Sequence, residues 1–519
     1  MPAKKILRRK KRPIEIVSAI VVGLTVLASI ALFIAVLYLE FVPEKYVMIL
    51  AGLLVLFNMF FGFLGLSKRI NNLNKGIQIF VCTVLSIVMI TISVLVPQYK
   101  YKIENMFMGL QEVTELKINM YVLNSDERKE VTEYENALVG MHQSYDKEHL
   151  EAAVDDINKL IENNIEVSTY ENMFDLVKAL YAGDVEAILL NTAYVNIITE
   201  NEEYSDFLTK TKVVYTITQE VANKHSSSFT GAVTKSPFII LIGGQDSYNY
   251  DNISSAEGDW NPHGGNRTDV NMLAVVNPLT KQILLVTVPR DSYVPLMGNT
   301  DMMDKLTHSS VINVDTWEDC VEYIFDDEIN VDFFVRVNFS TLVKAVDTIG
   351  GISIYNPYAF QSNPDEVYEN GRLVKRSFWY PKGDIELNGN EALLYVRERK
   401  HLPDGDVSRN ANQARVLKAI IKKVLSPEVI TNAYELLGTM EGSFLTDMTY
   451  KQISALIKMQ INDMADWNIV TKGLYAEGPY YKYSYLLGYD AGVVIVDEST
   501  VEVAKEAIHK VLNGEIIEE

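Results

Sequence analysis

The first hundred residues carry three long apolar runs separated by short polar turns. The runs cover residues 14–39, 46–66 and 77–96. Each run approaches or exceeds the roughly 20 residues that cross the hydrocarbon core of a bilayer as a helix. A cleaved signal peptide would show one shorter apolar region, so we expect three transmembrane helices within residues 1–99.

Basic residues at the start of the chain predict its orientation in the membrane. Seven lysines and arginines lie within the first twelve residues, although the formal net charge of the chain is −21. Basic flanks of transmembrane helices stay on the cytoplasmic side. The turn around Lys68 and Arg69 is then also cytoplasmic, and the chain after about residue 97 is predicted to be extracellular.

The exterior part begins with alternating strand and helix patterns. Residues 116–123 and 187–190 have the apolar pattern of strands, whereas residues 147–163 and 173–181 repeat apolar side chains at helical spacing. We predict a small α/β accessory domain over residues 100–230. Its residues indicate no catalytic site, so a spacer or partner-docking role is expected.

A second exterior domain is predicted over residues 236–517. Buried-type strands at 238–242 and 331–337 are accompanied by an apolar helix at 339–349, which a pair of glycines ends. This alternation of strands with helices is typical of an α/β domain.

Two further apolar runs, residues 270–276 and 283–288, are joined by Asn277 and Pro278, which favour a turn. The runs are short, rich in β-branched residues and suited to burial. We therefore predict two adjacent strands, most simply a hairpin.

Charged residues stand at the ends of these strands. Arg267 and Asp269 begin the first strand, Arg290 and Asp291 follow the second, and Asp246 lies just beyond strand 238–242. In an antiparallel hairpin the first two pairs lie side by side. Guanidinium groups bind phosphate through two parallel hydrogen bonds and carboxylates hold divalent metals, which predicts a site for an anion with a metal. The alternative is a set of ordinary surface ion pairs.

A second basic stretch follows near residue 400. If the chain is extended there, Arg397 and Arg399 point to the same side. Arg409 and Gln413 are four residues apart and share one face of a following helix. The chain has 68 acidic and 47 basic residues, and a cluster of cations in such a chain points to an anionic ligand. The alternative for Arg397 and Arg399 is a charged edge strand that prevents aggregation.

Two other features have a simpler interpretation. Arg415 and Lys418, further along the same helix, are assigned to a solvated face. The tyrosines of residues 475–485 could stack on sugars, but an ordinary aromatic loop is favoured.

The second exterior domain resembles the LytR-CpsA-Psr family of bacterial cell-envelope proteins, in particular its capsule-associated CpsA (Wzg) branch. The resemblance covers about residues 237–425. It rests on five motifs: NRTDVNML at 266–273, VPRD at 288–291, DKLTH at 304–308, VRER at 396–399 and DGDVSRNANQ at 404–413. Three membrane segments followed by an extra exterior domain also resemble this branch.

The resemblance implies a fold and an activity. The fold is an α/β/α sandwich around a mixed sheet, with a tunnel for a polyprenyl lipid between sheet and helices. The activity is transfer of capsular polysaccharide, or a related anionic glycopolymer, from undecaprenyl pyrophosphate to peptidoglycan with Mg²⁺, for which Mn²⁺ could substitute. Membrane lipid and the capsule synthesis machinery are further expected partners.

The resemblance also implies roles for individual residues. Asp246 and Asp269 would bind the metal. The residues that would hold the pyrophosphate are Arg267, Arg290, Lys305, Arg397, Arg399, Arg409 and Gln413.

The reaction needs positioning and charge neutralisation more than covalent help. A peptidoglycan hydroxyl is expected to attack the phosphorus that bears the glycan. Arg267 is expected to act in catalysis, and the general base is either Asp291 or Asp406, which the sequence does not separate. The apolar helix 339–349 could line a lipid tunnel or belong to an ordinary core, and the core is favoured.

Two other functions compete with transfer. One is a membrane regulator of capsule synthesis or transcription, although a cytoplasmic segment of about a dozen residues is too short for a folded DNA-binding domain, so no nucleic acid is expected as a partner. The other is a polyprenyl pyrophosphatase, in which water replaces the glycan acceptor. Only dependence on the acceptor separates the hydrolase from the transferase.

Overall fold

A computed structural model of the chain describes residues 13–39, 42–108, 114–143, 146–221, 227, 229–245, 267–369, 372–430 and 444–518. The chain divides into two compact units. The first comprises Met1–Phe107 with Tyr450–Met464, and the second comprises Met108–Thr449 with Ala465–Glu519.

The first unit contains three long apolar helices: α1 (Pro13–Tyr38), α2 (Glu44–Leu66) and α3 (Asn72–Met108). All three are long and apolar enough to span a membrane, α3 over Asn72–Tyr101. The three predicted apolar helices are therefore confirmed, and they indicate membrane anchoring.

Hydrogen bonds between polar side chains join α1 to α3 within their apolar surroundings. Ser18 Oγ donates to Gln78 Oε1 over 2.7 Å, and Ser86 Oγ donates to Thr25 Oγ1 over 3.0 Å. Lipid tails give apolar helices no net gain from burying one another, so such bonds and close packing hold membrane helices together.

The second unit begins with the region predicted as the accessory domain. A five-stranded sheet in the order β3-β2-β4-β1-β5 carries the long helices on its faces. The strands and helices are β1 (Thr114–Leu123), β2 (Leu138–His142), α4 (Lys147–Asn158), β3 (Glu166–Tyr170), α5 (Met173–Ala182), β4 (Ala187–Asn191), α6 (Val195–Glu200), α7 (Phe207–Lys210) and β5 (Thr211–Val221).

The predicted elements of the accessory domain are present, with one shorter than expected. Helix α4 ends at Asn158 rather than at residue 163. The Asn158 side chain accepts a hydrogen bond from the backbone N–H of Ile165, which fixes the turn that follows the helix. A local side-chain bond of this kind competes with continuation of the helix.

The remaining elements of the second unit lie in the region predicted as the second exterior domain. Its strands are β6 (Phe238–Gln245), β7 (Thr268–Asn277), β8 (Gln282–Val288), β9 (Tyr293–Pro295), β10 (Met303–Lys305), β11 (Phe333–Asn338), β12 (Ile352–Asn356), β13 (Phe360–Gln361), β14 (Asp365–Glu369), β15 (Arg372–Arg376), β16 (Trp379–Tyr380), β17 (Gly383–Leu387), β18 (Phe444–Thr446), β19 (Asn468–Gly473), β20 (Ala476–Ser484) and β21 (Tyr489–Val496). Its helices are α8 (Leu306–Ile312), α9 (Val314–Ile324), α10 (Phe339–Thr348), α11 (Gly389–Arg397), α12 (Asp406–Val424), α13 (Pro427–Ile430) and α15 (Glu498–Leu512), whereas α14 (Tyr450–Asp463) belongs to the first unit.

A six-stranded mixed sheet in the order β18-β11-β6-β7-β8-β19 is the centre of this domain. Strands β7 and β8 pair antiparallel as the predicted hairpin, while β11 pairs with β6, and β19 with β8, in parallel. Asn277 Oδ1 accepts hydrogen bonds from the N–H groups of Leu279 and Thr280, which closes the turn between β7 and β8.

Helices cover both faces of this sheet. On one face Trp317 of α9 donates through Nε1 to Asn271 of β7, and Asn277 donates to the carbonyl of Val511 in α15. Helices α10, α11 and α12 lie over the other face, where the side chains of Val270 and Met272 point. Alternate side chains of β7 thus point to opposite faces of the sheet. The predicted α/β/α sandwich is confirmed.

Candidate functional site

A cavity of about 270 Å³ lies between the sheet and helices α10, α11 and α12. Most of its wall is aliphatic. The apolar side chains that line it are Ile242, Val270, Met272, Val337, Phe339, Leu342, Val396, Val416, Leu417 and Ile420. Residues from the helix beginning at Phe339 thus border a cavity as well as packing in the core.

The same cavity is lined by charged and polar side chains. They are Asp269, Arg290, Arg397, Arg409 and Gln413. Arg409 and Gln413 share a face of α12, as their spacing predicts. The ends of the β7–β8 hairpin and this helix face, about 120 residues apart in the sequence, meet at one site.

Ion pairs connect the charges at the hairpin ends. Arg290 Nη1 lies 2.7 Å from Asp269 Oδ1, and its Nε lies 3.5 Å from Asp291 Oδ2. Lys305 Nζ lies 3.5 Å from the other oxygen of Asp291. Strand register explains the first contact. Asn271 pairs with Val288, so Asp269 and Arg290, which lie two residues beyond this pair along the chain, are neighbours.

A second group of charges surrounds the first residue of α12. Asp406 Oδ2 lies 2.9 Å from Arg399 Nε, and its Oδ1 is in ion-pair contact with Arg409. Gly405 precedes the helix with a φ of 52°, in a region that glycine adopts readily. The carboxylate of Asp406 in the first turn is favoured by the helix dipole.

These two groups influence each other electrostatically. Burial alone would lower the pKa of Arg290, but the carboxylates of Asp269, Asp291 and Asp406 outweigh it and raise the pKa. Burial and the nearby charge of Arg290 lower the pKa of Arg409, with Asp406 and Asp269 acting in the opposite direction. Both guanidiniums remain positively charged near neutral pH because their intrinsic pKa is so high.

The prediction that the segment around Arg397 and Arg399 is extended is wrong. Arg397 is the last residue of α11, whose start is stabilised by a capping box between Asn388 and Glu391. The apolar positions before Arg397 keep helical spacing, so the helix continues to it. Glu398, only 2% exposed, then accepts hydrogen bonds from backbone N–H groups that follow the helix, and Arg399 lies beyond the helix end.

Arg397 nevertheless lines the cavity, in contacts that sequence reasoning missed. Its Nη1 lies 3.1 Å from Asp365 Oδ2, and its Cζ lies 4.3 Å from the centre of the Phe339 ring. A cation over an aromatic face is held electrostatically. Asp365 begins the β14–β15 hairpin, and its local sequence gives no signal of this role.

Other residues assigned from the sequence lie around the cavity or outside the described part. Among the described residues that line the cavity, Arg267, Lys305 and Arg399 do not appear. Arg267 immediately precedes β7, while the other two contact Asp291 and Asp406. Asp246, the other predicted metal ligand, lies outside the described residues.

The motif around Lys305 also has a structural function. Asp304 is fully buried, and its Oδ1 lies 2.6 Å from His308 Nδ1. It also accepts hydrogen bonds from Ser484 Oγ and the N–H of Leu486, which follows β20. Burial opposes ionisation of Asp304, but its contact with His308 and these hydrogen bonds lower its pKa. Much of this motif therefore anchors the tyrosine-rich β20–β21 hairpin.

Arg336 lies in β11 on the opposite face of the sheet. It is completely buried, with its Cζ 5.9 Å from the Trp317 ring, and burial lowers its pKa to about 10. Its strand partner is Gly243, whereas the cavity is bordered by the neighbouring residues Ile242 and Gly244. Arg336 consequently does not belong to the cavity.

The described residues offer few ligands for a divalent metal. Within them, no group of three or more histidine, cysteine or acidic side chains is arranged to hold an ion. Asp269 supplies one carboxylate at the cavity, and its Oδ1 already contacts Arg290. Mg²⁺ commonly binds through one or two carboxylates together with substrate phosphates, so these residues fit Mg²⁺ only as part of a complex with a phosphate ligand.

The arrangement suits an amphiphilic anion. Guanidinium groups at the charged part can bind phosphate oxygens through paired hydrogen bonds. The aliphatic wall can remove a hydrocarbon chain from water, at roughly 25 cal/mol per Å² of buried apolar surface.

A sequence profile described as the LytR_cpsA_psr family matches residues 204–491 of this chain. The chain is 32% identical over 215 residues to a Bacillus licheniformis protein named polyisoprenyl-teichoic acid–peptidoglycan teichoic acid transferase TagU, which is 41% of this chain and 61% of that protein. A protein of the same name from Enterococcus faecalis is 28% identical over 244 residues, 46% of this chain and 71% of its own length. The chain thus spans 61% of the length of the first relative.

Solved structures match slightly more than half of this chain. The crystal structure of B. subtilis TagU covers 55% of this chain and 100% of its own, with 27% identity and a TM-score of 0.37. That of B. subtilis TagV covers 54% of this chain and 98% of its own, with 23% identity and a TM-score of 0.42.

Proposed function

The chain belongs to the LytR-CpsA-Psr family, because the family profile matches more than half of it, and from this premise we propose that it is a membrane-anchored phosphotransferase. It transfers a glycopolymer from an undecaprenyl pyrophosphate carrier to peptidoglycan. Capsular polysaccharide, or a related anionic cell-wall polymer, is the proposed cargo. The family resemblance of the sequence motifs is thereby confirmed, and the capsule-associated branch is part of the proposal.

One observation carries this proposal: guanidinium groups and an aliphatic wall line the same cavity. Arg290, Arg397 and Arg409 face the space that Val416 and Ile420 border. A pyrophosphate attached to a polyprenyl chain has charged and hydrocarbon parts that match this division. Three apolar helices in the same chain support a substrate that resides in a membrane.

The proposed step is a substitution at phosphorus. An acceptor hydroxyl oxygen forms a bond to the phosphorus that bears the glycan. The bond from this phosphorus to the bridging oxygen breaks, and polyprenyl phosphate leaves with that electron pair. The acceptor proton passes to a carboxylate. Arg290 and Arg409 stabilise the negative charge that develops on the phosphate oxygens, while the roles proposed for Arg267 and Gln413 are orientation of the same group.

The structure favours Asp291 over Asp406 as the base. Both oxygens of Asp406 contact guanidinium groups, one of them at 2.9 Å. Asp291 is approached by Arg290 and Lys305 only at 3.5 Å, which is longer than a usual charge-assisted hydrogen bond. Asp291 therefore has more freedom to accept a proton.

Mg²⁺, with Mn²⁺ as a substitute, is the proposed cofactor, and it would neutralise charge on the pyrophosphate. Asp269 would hold the ion together with Asp246 and the substrate. The proposed orientation leaves the N-terminus in the cytoplasm and both following domains outside the cell.

The first test measures release of polyprenyl phosphate from a labelled glycan-pyrophosphate lipid by the purified full-length protein in detergent. Reactions are run with and without Mg²⁺ and with and without peptidoglycan strands. We expect metal-dependent release together with transfer of glycan to the strands, and loss of both in Arg290→Gln. Lys423→Gln is the matched control, since Lys423 pairs with Glu428 at 3.1 Å and lies outside the site.

Two results would contradict transfer. Release of polyprenyl phosphate without glycan on the strands would make the protein a hydrolase. Binding of the lipid without any release, in both metal conditions, would favour a regulator.

A further inference from the structure

Helix α12 borders a second and larger depression on its other side. This groove has a volume of about 580 Å³ and lies between α12, β12 and the end of β19. Asn410, Ala414 and Lys418 line it, whereas Arg409 and Gln413 line the apolar cavity. One helix thus separates two sites of different character.

The groove is strongly basic. Arg415, Lys418 and Lys422 of α12 and Lys472 of β19 line it. Within the described part of the chain, no aspartate or glutamate is among its lining residues, although the whole chain has 68 acidic and 47 basic residues. Arg415 and Lys418, which are predicted to lie on a solvated face, line the wall of this groove.

The environment of the groove disfavours the charged form of Lys418. Burial and the neighbouring Lys422 lower the pKa of Lys418. On β17, Asp384 and Glu386 pair in register with Tyr355 and Ser353, but neither carboxylate is among the residues that line the groove. Cations gathered in a groove without an acidic lining attract anions from solution.

Aromatic and polar side chains accompany the cations. Tyr355 is 55% exposed and Tyr475 is 50% exposed, although both line the groove. Ser353, Asn410 and Thr471 add groups that can hydrogen-bond to hydroxyls. Exposed aromatic rings with a polar end suit sugar rings, which present both apolar faces and hydroxyls. The combination suits a glycan that carries acidic groups, either on its sugars or on attached peptides.

The groove opens beside the candidate site. Val407 lines it directly after Asp406, and Thr287 lines it three residues before Arg290. A donor whose lipid occupies the apolar cavity lies on the other side of α12. The groove is then available to the second substrate while the first is bound.

We propose that this groove binds the acceptor, a peptidoglycan glycan strand whose peptide carboxylates contact Lys418, Lys422 and Lys472 and whose sugars pack against Tyr355 and Tyr475. This inference rests on the proposed function and extends it to the acceptor. The groove guides the strand so that one hydroxyl reaches the phosphate held by Arg290 and Arg409.

The test measures binding without turnover. Fluorescent, uncrosslinked peptidoglycan strands are titrated into the full-length protein in detergent, and a second arm uses the lipid-free donor polymer. We expect the triple variant K418Q/K422Q/K472Q to bind the strands about tenfold more weakly, since each charge contact contributes about twofold. K423Q, on the same helix but paired with Glu428, should bind as the unaltered protein does.

Tyr475→Ala provides a second, uncharged probe. It should also weaken strand binding, and the difference should persist at high salt, where the contribution of the lysines is screened. The transfer assay should show a raised KM for the strands in the triple variant, with an unchanged KM for the lipid donor.

The outcomes separate this inference from the proposed function. Unchanged strand binding in both the triple variant and Tyr475→Ala would overturn the groove proposal, even if the protein transfers polymer. Weaker binding of the donor polymer instead of the strands would assign the groove to the donor and overturn it as well. Lysine-dependent strand binding in a protein that never transfers polymer would support the groove and contradict the transferase.

Discussion

Positively charged residues have different surroundings on the two sides of α12. On the cavity side each cation has a carboxylate beside it, as in the pairs of Arg290 with Asp269 and of Arg409 with Asp406. On the groove side Lys418 and Lys422 stand together with no acidic residue in the described lining. Carboxylates beside the cavity hold its guanidinium groups in place, whereas the described lining of the groove carries a net positive charge that suits an anionic ligand.

The difference indicates two kinds of recognition. A reacting phosphate needs donors whose positions are set before it arrives, because preorganised charge needs no rearrangement during the reaction. A long polymer needs many weak and exchangeable contacts, which lysines on flexible side chains supply. We therefore expect substitutions on the cavity side to reduce turnover and those on the groove side to change acceptor binding.

The largest expected effect is on the cavity side. Arg409→Gln should lower the rate of transfer by about 10²–10³-fold, as for loss of one preorganised donor in a reaction centre. The lipid-release assay measures this rate. A decrease of similar size in Lys423→Gln would show that any charge change on α12 disrupts the enzyme, and the contrast between the two faces would fail.

The next effect distinguishes the two candidate bases. Asp291→Asn should lower the transfer rate by about 100-fold, a usual contribution of general-base catalysis. Asp406→Asn should cost less, because it removes a partner of Arg399 and Arg409 rather than a proton acceptor. Rates measured across a pH range, with metal binding checked separately, test this order. The reverse order of losses would identify Asp406 as the base.

The smallest effect is on stability at the groove. The pKa of Lys418 is lowered in the folded protein, so the unfolded chain binds this proton more tightly and the charge destabilises the fold. The cost is fully present below the folded pKa and disappears as the pH rises through the unfolded pKa. Lys418→Gln should raise the free energy of unfolding near neutral pH by about 0.5 kcal/mol or less, given the exposure of the site.

Thermal unfolding at neutral pH, compared with Lys423→Gln, measures this gain. A clear loss of stability in Lys418→Gln would mean that Lys418 supports the fold, and the interpretation that its positive charge destabilises the folded protein would be wrong.

The local sequence pattern was sufficient to predict helices and strands, but it was less able to predict the contacts between them. The β7–β8 hairpin and the shared face of Arg409 and Gln413 follow from periodicity, since both depend on neighbours within a few residues. The extended segment around Arg397 was predicted wrongly, because the end of α11 depends on the buried carboxylate of Glu398. A short apolar segment followed by charges does not distinguish the end of a helix from a strand.

The sequence by itself determined the three apolar helices, the α/β alternation and the set of charged residues near strand ends, because each depends on composition and local spacing. Only the tertiary structure decided which charges meet. It joined Arg397 to Asp365 across 32 positions of the chain, and it brought Lys418 of α12 and Lys472 of β19 to the lining of one groove. Such contacts depend on how the helices pack on the sheet, and this packing is set by the whole core.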